Sequence, residues 1–160
     1  MPTIEMAVAT DGSSILRLTA AISAFNPMEL SCVEELWNEY LAKGEASGYN
    51  FLTFRDGDQV LGYACFGPHP LTQGTFDLYW IAVDPATQRR GVGRALLSRV
   101  EAEVRAQAGR LLLIETSGTP EYAPARRFYA SCDYSCIATI PDFYAPGDDL
   151  LFFCRRLAGG

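Results

Sequence analysis

The chain of 160 residues carries a net charge of −6, with 49% hydrophobic and 20% charged side chains. That length suits one domain, residues 1–160, whose core needs no disulfide or metal staple, and the balance is that of a soluble globular protein. The acidic charge speaks against a nucleic-acid surface, no run approaches the ~20 apolar residues of a membrane span, and no basic segment followed by an apolar run opens the chain as a secretory signal would. Ile4 to Thr10 alternates weakly as a first strand. A helix is expected over about residues 13–24, entered through Asp11-Gly12-Ser13. A second helix, Cys32 to Lys43, gathers Val33, Leu36, Trp37, Tyr40 and Leu41 on one face, with Ser31 as N-cap and Glu34 three residues on. Tyr49–Phe54 and Val60–Phe66 read as strands joined by the hairpin signal Arg55-Asp56-Gly57-Asp58. The turn His69 to Gly74 leads to an apolar strand, Asp77–Val83, and the turn Asp84-Pro85.

Next comes Gln88-Arg89-Arg90-Gly91-Val92-Gly93-Arg94, which opens a helical pattern with Val92, Leu96, Val100 and Val104 four apart. A Gly-rich turn thus starts a helix at the end of a strand. The free N–H groups of a first helical turn, with the positive end of the helix dipole, suit an anion. Glycines let the backbone approach a bulky phosphate, and the arginines add charge. The triphosphate-binding Gly-x-x-x-x-Gly-Lys-Ser/Thr pattern is absent, and the dinucleotide Gly-x-Gly-x-x-Gly fails at Leu96.

Beyond that helix, Arg110 to Thr116 reads as a buried strand. A short helix from Glu121 to Ser131 contains Ala125-Arg126-Arg127-Phe128-Tyr129, and Tyr134–Ile140 reads as another strand. Pro141 to Asp149 reads as a polar excursion before the last strand, Leu150–Cys154. The order is strand, two helices, three strands, helix, strand, helix, two strands, which makes a mixed α/β sheet with helices on both faces.

With Gln88, Gly91 and Gly93 in a Gln-x-x-Gly-x-Gly turn, and the Phe128-Tyr129 helix following in order, the chain resembles the GNAT superfamily of acyl-CoA-dependent N-acyltransferases over residues 75–157. The resemblance implies a mixed, mostly antiparallel sheet of about seven strands that parts between its fourth and fifth strands to admit acetyl-CoA. It implies that Ile81, Ala82 and Val83 pair with the pantetheine through backbone groups. Gln88, Arg89, Arg90, Gly91, Val92, Gly93 and Arg94 would hold the pyrophosphate. The chain departs from the family at Tyr122, where many members place an Asn on the pantetheine arm, and at Asp133-Tyr134, where Gly-Phe is usual. Aspartate tolerates the left-handed conformation better than most residues, so the second departure keeps its turn.

Transfer to an amine needs a proton acceptor, because an alkylammonium has a pKa of about 10, and a proton donor for the departing thiolate. Tyr129 matches the family's general acid; the plainer alternative is a core aromatic with a satisfied hydroxyl. Glu115, a carboxylate in an apolar strand, is the first choice for the base, with an ion pair to an arginine as the alternative. Asp77 and Tyr79, on one face of the neighbouring strand, are rivals and candidate acceptor contacts, and a base acting through a water is a further alternative. Asp142, Tyr144, Asp148 and Asp149 make the last loop acidic and aromatic, either a solvated turn or a surface for a cationic amine.

Five cysteines, Cys32, Cys65, Cys132, Cys136 and Cys154, read as mostly buried reduced thiols of a cytoplasmic protein, with no metal-ligand spacing. The single histidine, His69, lies in a Pro-bracketed turn and offers no cysteine a catalytic partner. The function expected is acetyl transfer from acetyl-CoA to a primary amine of a small cationic molecule. A protein or peptide acceptor, and a non-catalytic acyl-CoA-binding regulatory module, are the alternatives. No metal, nucleic acid or membrane is expected, and a homodimer is left open.

Overall fold

The computed structural model describes residues 1–22, 24–87 and 90–157. Along the chain run β1 (Pro2–Met6), α1 (Gly12–Ala21), α2 (Pro27–Lys43), β2 (Asn50–Asp56), β3 (Gln59–Pro68), β4 (Thr75–Val83) and α3 (Val92–Ala106). There follow β5 (Leu111–Ser117), α4 (Ala123–Ser131), β6 (Ser135–Ala145) and β7 (Asp148–Arg156). The strands make one seven-stranded sheet in the order β1-β2-β3-β4-β5-β7-β6. Every neighbouring pair is antiparallel except β4 and β5, which α3 connects as a crossover.

The helices cover both faces, each over its own core. Against α3 and α4 lie Leu52, Phe66, Phe76, Leu78, Leu112, Ile114 and Phe153 of the sheet. Val92, Leu96, Val100 and Val104 are all buried on this face, the four-apart stripe that makes α3 amphipathic. Against α1 and α2 lie Phe51, Tyr63, Cys65 and Ala82, with Ile15, Leu18, Val33 and Trp37 from the helices.

Three boundaries differ from expectation. β1 stops at Met6 because the backbone turns at Ala9–Asp11, where the Asp11 carboxylate accepts the Val8 N–H at 2.9 Å. α2 starts at Pro27, not Cys32: Asn26 is the N-cap, its side chain accepting the Glu29 N–H at 2.9 Å, and Pro27 fits the first helical position. Ser31 lies inside the helix. The expected polar excursion over Pro141–Asp149 is a β-hairpin, with β6 running to Ala145 and β7 starting at Asp148. Pro141 is tolerated because β6 is an edge strand. Irregular pairing between Ile140 and Ala145, with Asp142 at φ 56°, absorbs the extra residues.

Asp133 adopts φ 70° after α4, so the turn that glycine usually makes is kept. The cysteines are all free, but only Cys65 and Cys132 are buried; Cys32 and Cys136 are exposed, against the expectation of mostly buried thiols. Among the described residues no helix is long and apolar enough to cross a membrane.

β3 ends in close contact with the segment before β2. A Cβ added to Gly67 would lie 1.8 Å from the Gly48 carbonyl oxygen. Gly67→Ala is therefore expected to destabilise the fold by about 1–3 kcal/mol, the usual cost of overpacking, measured as a lowered denaturant midpoint. An unchanged midpoint would mean that the two backbones separate freely.

Candidate active site

β4 and β5 pair only from Thr75–Leu78 against Leu111–Ile114. Beyond them, Tyr79–Val83 keep β3 as their sole strand partner among the described residues, and Glu115–Ser117 pair with β7. The sheet is split. Its local cause lies in the β3–β4 ladder, where Cys65 faces Trp80 but the next residue, Phe66, faces Leu78. Tyr79 is the extra residue of a bulge, and a bulge bends its strand. The bend comes where pairing with β5 ends. It also breaks the alternation of β4, so that Tyr79 and Trp80 both pack toward the α1–α2 face.

The first turn of α3 stands beyond the end of β4. Gly91 is its N-cap at φ 79°, a conformation that costs an L side chain about 1–2 kcal/mol. Among the described residues nothing lies within 4 Å of the position a Cβ would take there. The first helical bond runs from the Ala95 N–H to the Gly91 carbonyl at 3.0 Å. The N–H groups of Gly91, Val92, Gly93 and Arg94 have no acceptor among the described residues. Gly93 serves a purpose the sequence did not suggest. A Cβ there would sit 3.3 Å from the Phe128 ring, so its bareness brings α3 against α4. Arg90 is exposed beside the turn, while the Arg94 guanidinium donates to the Ser131 carbonyl at 3.4 Å and to its hydroxyl at 3.2 Å. Gln88 and Arg89 lie outside the described residues.

Tyr129 belongs to the α3–α4 face, its ring buried between Phe128 and Phe153. Burial pushes its phenol above the ordinary tyrosine range, and nearby Cys132 adds to that. Among the described residues the hydroxyl has no hydrogen-bond partner, yet no sealed polar side-chain atom there is orphaned.

The carboxylates lie on the other face. Leu112 and Ile114 are buried toward α3, so Leu113 and Glu115 project the opposite way, as strand alternation requires. Asp77 faces Leu113 in the parallel register and shares their side. Glu115 is exposed at its tip, but partial burial raises its carboxyl above the ordinary range; Asp77 raises it further and His69 opposes them. No arginine bonds to Glu115 among the described residues. Asp77 is buried and lies 2.7 Å from His69 Nδ1. Tyr79 is raised by burial and by the Asp77 charge, and its ring packs edge-on against Tyr49 at 5.3 Å.

Tyr144 joins this side from β6; burial, then Glu115, Asp148 and Glu29, push its phenol up to about 12. The Tyr122 hydroxyl reaches across to α2, 2.9 Å from the Glu29 carboxylate and 3.3 Å from the Ala24 carbonyl oxygen. Asp142 is turned away to a structural task, its carboxylate accepting the Gly147 N–H at 2.8 Å. Two elements were missed in the sequence: the bulge at Tyr79 and the pairing of His69 with Asp77. Among the described residues no group of three or more His, Cys, Asp or Glu side chains forms a metal site.

The sheet is parted where β4 leaves β5, the Gly91 helix start follows β4, and a phenol lies on one face of the sheet with carboxylates on the other. The acetyltransferase (GNAT) family profile matches residues 18–134. A GNAT-family protein from Desulfovibrio desulfuricans superposes with a TM-score of 0.96 at 42% identity, covering 99% of this chain and 100% of that one. The ribosomal-protein-S18-alanine N-acetyltransferase of Escherichia coli shares the fold at TM-score 0.79 and 21% identity, over 100% and 96% of the two chains. An aminoglycoside 6'-N-acetyltransferase complexed with coenzyme A does so at 0.76 and 13%, over 99% and 98%. Comparison with curated proteins finds no match. The chain belongs to the GNAT family of acetyltransferases. It is an acetyl-CoA-dependent acyltransferase.

Proposed function

We propose that this enzyme acetylates the primary amine of a small cationic molecule by direct attack in a ternary complex. The observation that carries the choice of acceptor is the cluster of Asp77, Glu115, Tyr79 and Tyr144 on the face opposite Tyr129. Carboxylates and aromatic faces hold an ammonium group, and partial burial strengthens that attraction.

Acetyl-CoA fits the features on the α3 side. The space at Gly91 and the N–H groups of Gly91 to Arg94, which have no acceptor among the described residues, suit a diphosphate, with Arg90, Gln88 and Arg89 beside them in sequence. The unpaired edge of β4 at Ile81, Ala82 and Val83 offers backbone groups to the pantetheine, and an N–H there can polarise a carbonyl. Tyr122 lines the same route from the start of α4. When bound, acetyl-CoA supplies the thioester carbon that the amine attacks.

Glu115 takes the ammonium proton, freeing the nitrogen lone pair, and Asp77 and Tyr79 hold the charged acceptor in place. Tyr129 gives its phenol proton to the sulfur as the thiolate departs. The two proton-handling groups stand on opposite faces, so a reactant lying in the split between β4 and β5 can meet both. Asp142 and Tyr144 frame the acceptor from the β6–β7 hairpin, Asp142 by holding its shape. The exposed edge of β6, with Ile137, Ile140 and Phe143, is the surface on which a homodimer would form. Free thiols at the surface fit a reducing cytoplasm.

Thiol release measured over amines, polyamines, amino acids and peptides tests this reading. Turnover confined to peptides would replace it with a protein acetyltransferase. Binding of acetyl-CoA without turnover on any amine would replace it with a regulatory module. Glu115→Gln is expected to lower kcat/KM for the amine about a hundredfold near neutral pH, the lower range for loss of a general base. A base must be ionised to act, and the raised carboxyl places the rising limb of the pH profile above the ordinary carboxylate value of about 4.3. A Gln variant with full activity would remove Glu115 from the reaction.

A further inference from the structure

The proton path through Glu115 passes beside two groups with no part in it, His69 and the carboxylate it touches. His69 is fixed by its backbone: its N–H donates to the Thr75 carbonyl at 2.8 Å, and its own carbonyl accepts the Thr72 hydroxyl at 2.8 Å. Its ring lies with Nδ1 2.7 Å from Asp77 Oδ2, the His69 side chain 46% exposed and that of Asp77 12%. The carboxylate fixes the proton on Nδ1, so Nε2 is the atom that gains or loses charge. Asp77 faces Leu113, which puts Glu115 two residues further along the same face, about 7 Å in strand spacing.

Asp77, His69 and Glu115 therefore form one electrostatic unit in which imidazolium is the cation that can come and go. With Nε2 protonated, the His69–Asp77 pair is neutral. With it deprotonated, the pair presents a full negative charge to Glu115. The other groups facing this unit are Tyr79 from β4, Tyr144 from β6, and Cys154 and Arg156 from β7, with Glu29 of α2 and Asp148 of β7 behind Tyr144. Both phenols are pushed up and stay neutral through the physiological range.

We propose that the Asp77–His69 pair is the electrostatic control on Glu115, its proton occupancy setting the pH at which Glu115 can accept a proton from the amine. The proposal rests on Glu115 being the base. His69 acts through that carboxylate, as a positioning residue, and Asp77 adds this effect to its hold on the acceptor. Imidazolium holds Glu115 ionised, and loss of its proton unmasks Asp77 and favours the protonated carboxyl.

The test is the pH profile of kcat/KM for one amine, with saturating acetyl-CoA, across four variants. His69→Asn keeps a donor for Asp77 but carries no charge, so the rising limb moves up, to about half a unit to one unit above that of a fixed positive charge at the same place, the size of one charge roughly 7–8 Å away in a solvent-like dielectric. His69→Lys fixes a positive charge in the same half-exposed turn and moves the limb down, the two variants together spanning that one-charge difference. Asp77→Asn also moves it down. Glu115→Gln abolishes it. A merely structural histidine would give loss of activity without opposed shifts, and the two His69 variants do not depend on the buried Asp77→Asn folding. The proposal is overturned if the His69 variants leave the limb in place or move it the same way. It is overturned as well if His69→Asn removes the limb with a hundredfold loss, which would make the imidazole the base. A limb that survives Glu115→Gln ends both this proposal and the role of Glu115, while the acetyltransferase activity stands. A wild-type enzyme inactive on every amine ends the acceptor assignment and this proposal with it.

Discussion

Tyr129→Phe is expected to lower kcat about a hundredfold or more while leaving the KM values for acetyl-CoA and amine within a few-fold. General acids contribute roughly 10²–10⁴ in rate, and the phenol lies on the α3–α4 side of the split. The phenylalanine ring fills the space between Phe128 and Phe153, so the core is conserved. Since the hydroxyl has no partner among the described residues, its removal leaves no group unsatisfied. The melting temperature should therefore hold. Tyr129→Ala would be a poor test, because losing a buried aromatic ring costs about 3–5 kcal/mol and confuses folding with chemistry. Unchanged kcat in the Phe variant, measured at saturating substrates, would return Tyr129 to the hydrophobic core.

The size of that effect depends on how the proton is shared. A thiol titrates near 8.5 and a free phenol near 10, so complete transfer from tyrosine to thiolate is uphill even before burial. Burial pushes the Tyr129 phenol higher still. Its contribution is then a hydrogen bond that strengthens as negative charge gathers on sulfur, with the proton completing its move only as the carbon–sulfur bond breaks. Such a donor stays protonated through neutral and mildly alkaline pH. The falling limb of the pH profile, if one is seen below pH ~9, must come from another group.

Much of this was legible in the residues because it depends on short-range patterns. The four-apart apolar stripe of α3 and the strict alternation of β5 translate directly into buried faces, and both placed their side chains as expected. The left-handed turn at Asp133 also followed from local steric preference. The missed features depend on pairing between distant segments. The bulge at Tyr79 is a mismatch between two ladders, and nothing in Leu78-Tyr79-Trp80 alone announces it. The contact of His69 with Asp77 exists because the chain folds back through a turn of fixed register. Turn chemistry misled at residues 141–149, since proline, glycine and aspartate mark a loop in isolation but are accommodated at a sheet edge. The N-cap of α2 was misplaced for a related reason: both Asn26 and Ser31 are competent caps, and Pro27 decides between them.

The cradle at the start of α3 gives the second large expected effect. Gly91→Val is predicted to weaken acetyl-CoA binding about tenfold or more, measured by calorimetry. Two causes add. A β-branched residue at φ 79° is a steric outlier, so the turn shifts and the N–H groups of Val92, Gly93 and Arg94 lose their common aim. The new side chain also occupies the open space that a diphosphate needs. Strain of about 1–2 kcal/mol would by itself lower stability modestly, so the decisive comparison is with Gly91→Asn. Asparagine tolerates the left-handed conformation and keeps the helix start, but it fills part of the same space. If strain dominates, Asn restores both melting temperature and affinity; if steric exclusion from the cradle dominates, it restores melting temperature alone. Undiminished affinity in the Val variant would place the diphosphate elsewhere and detach the first turn of α3 from coenzyme recognition.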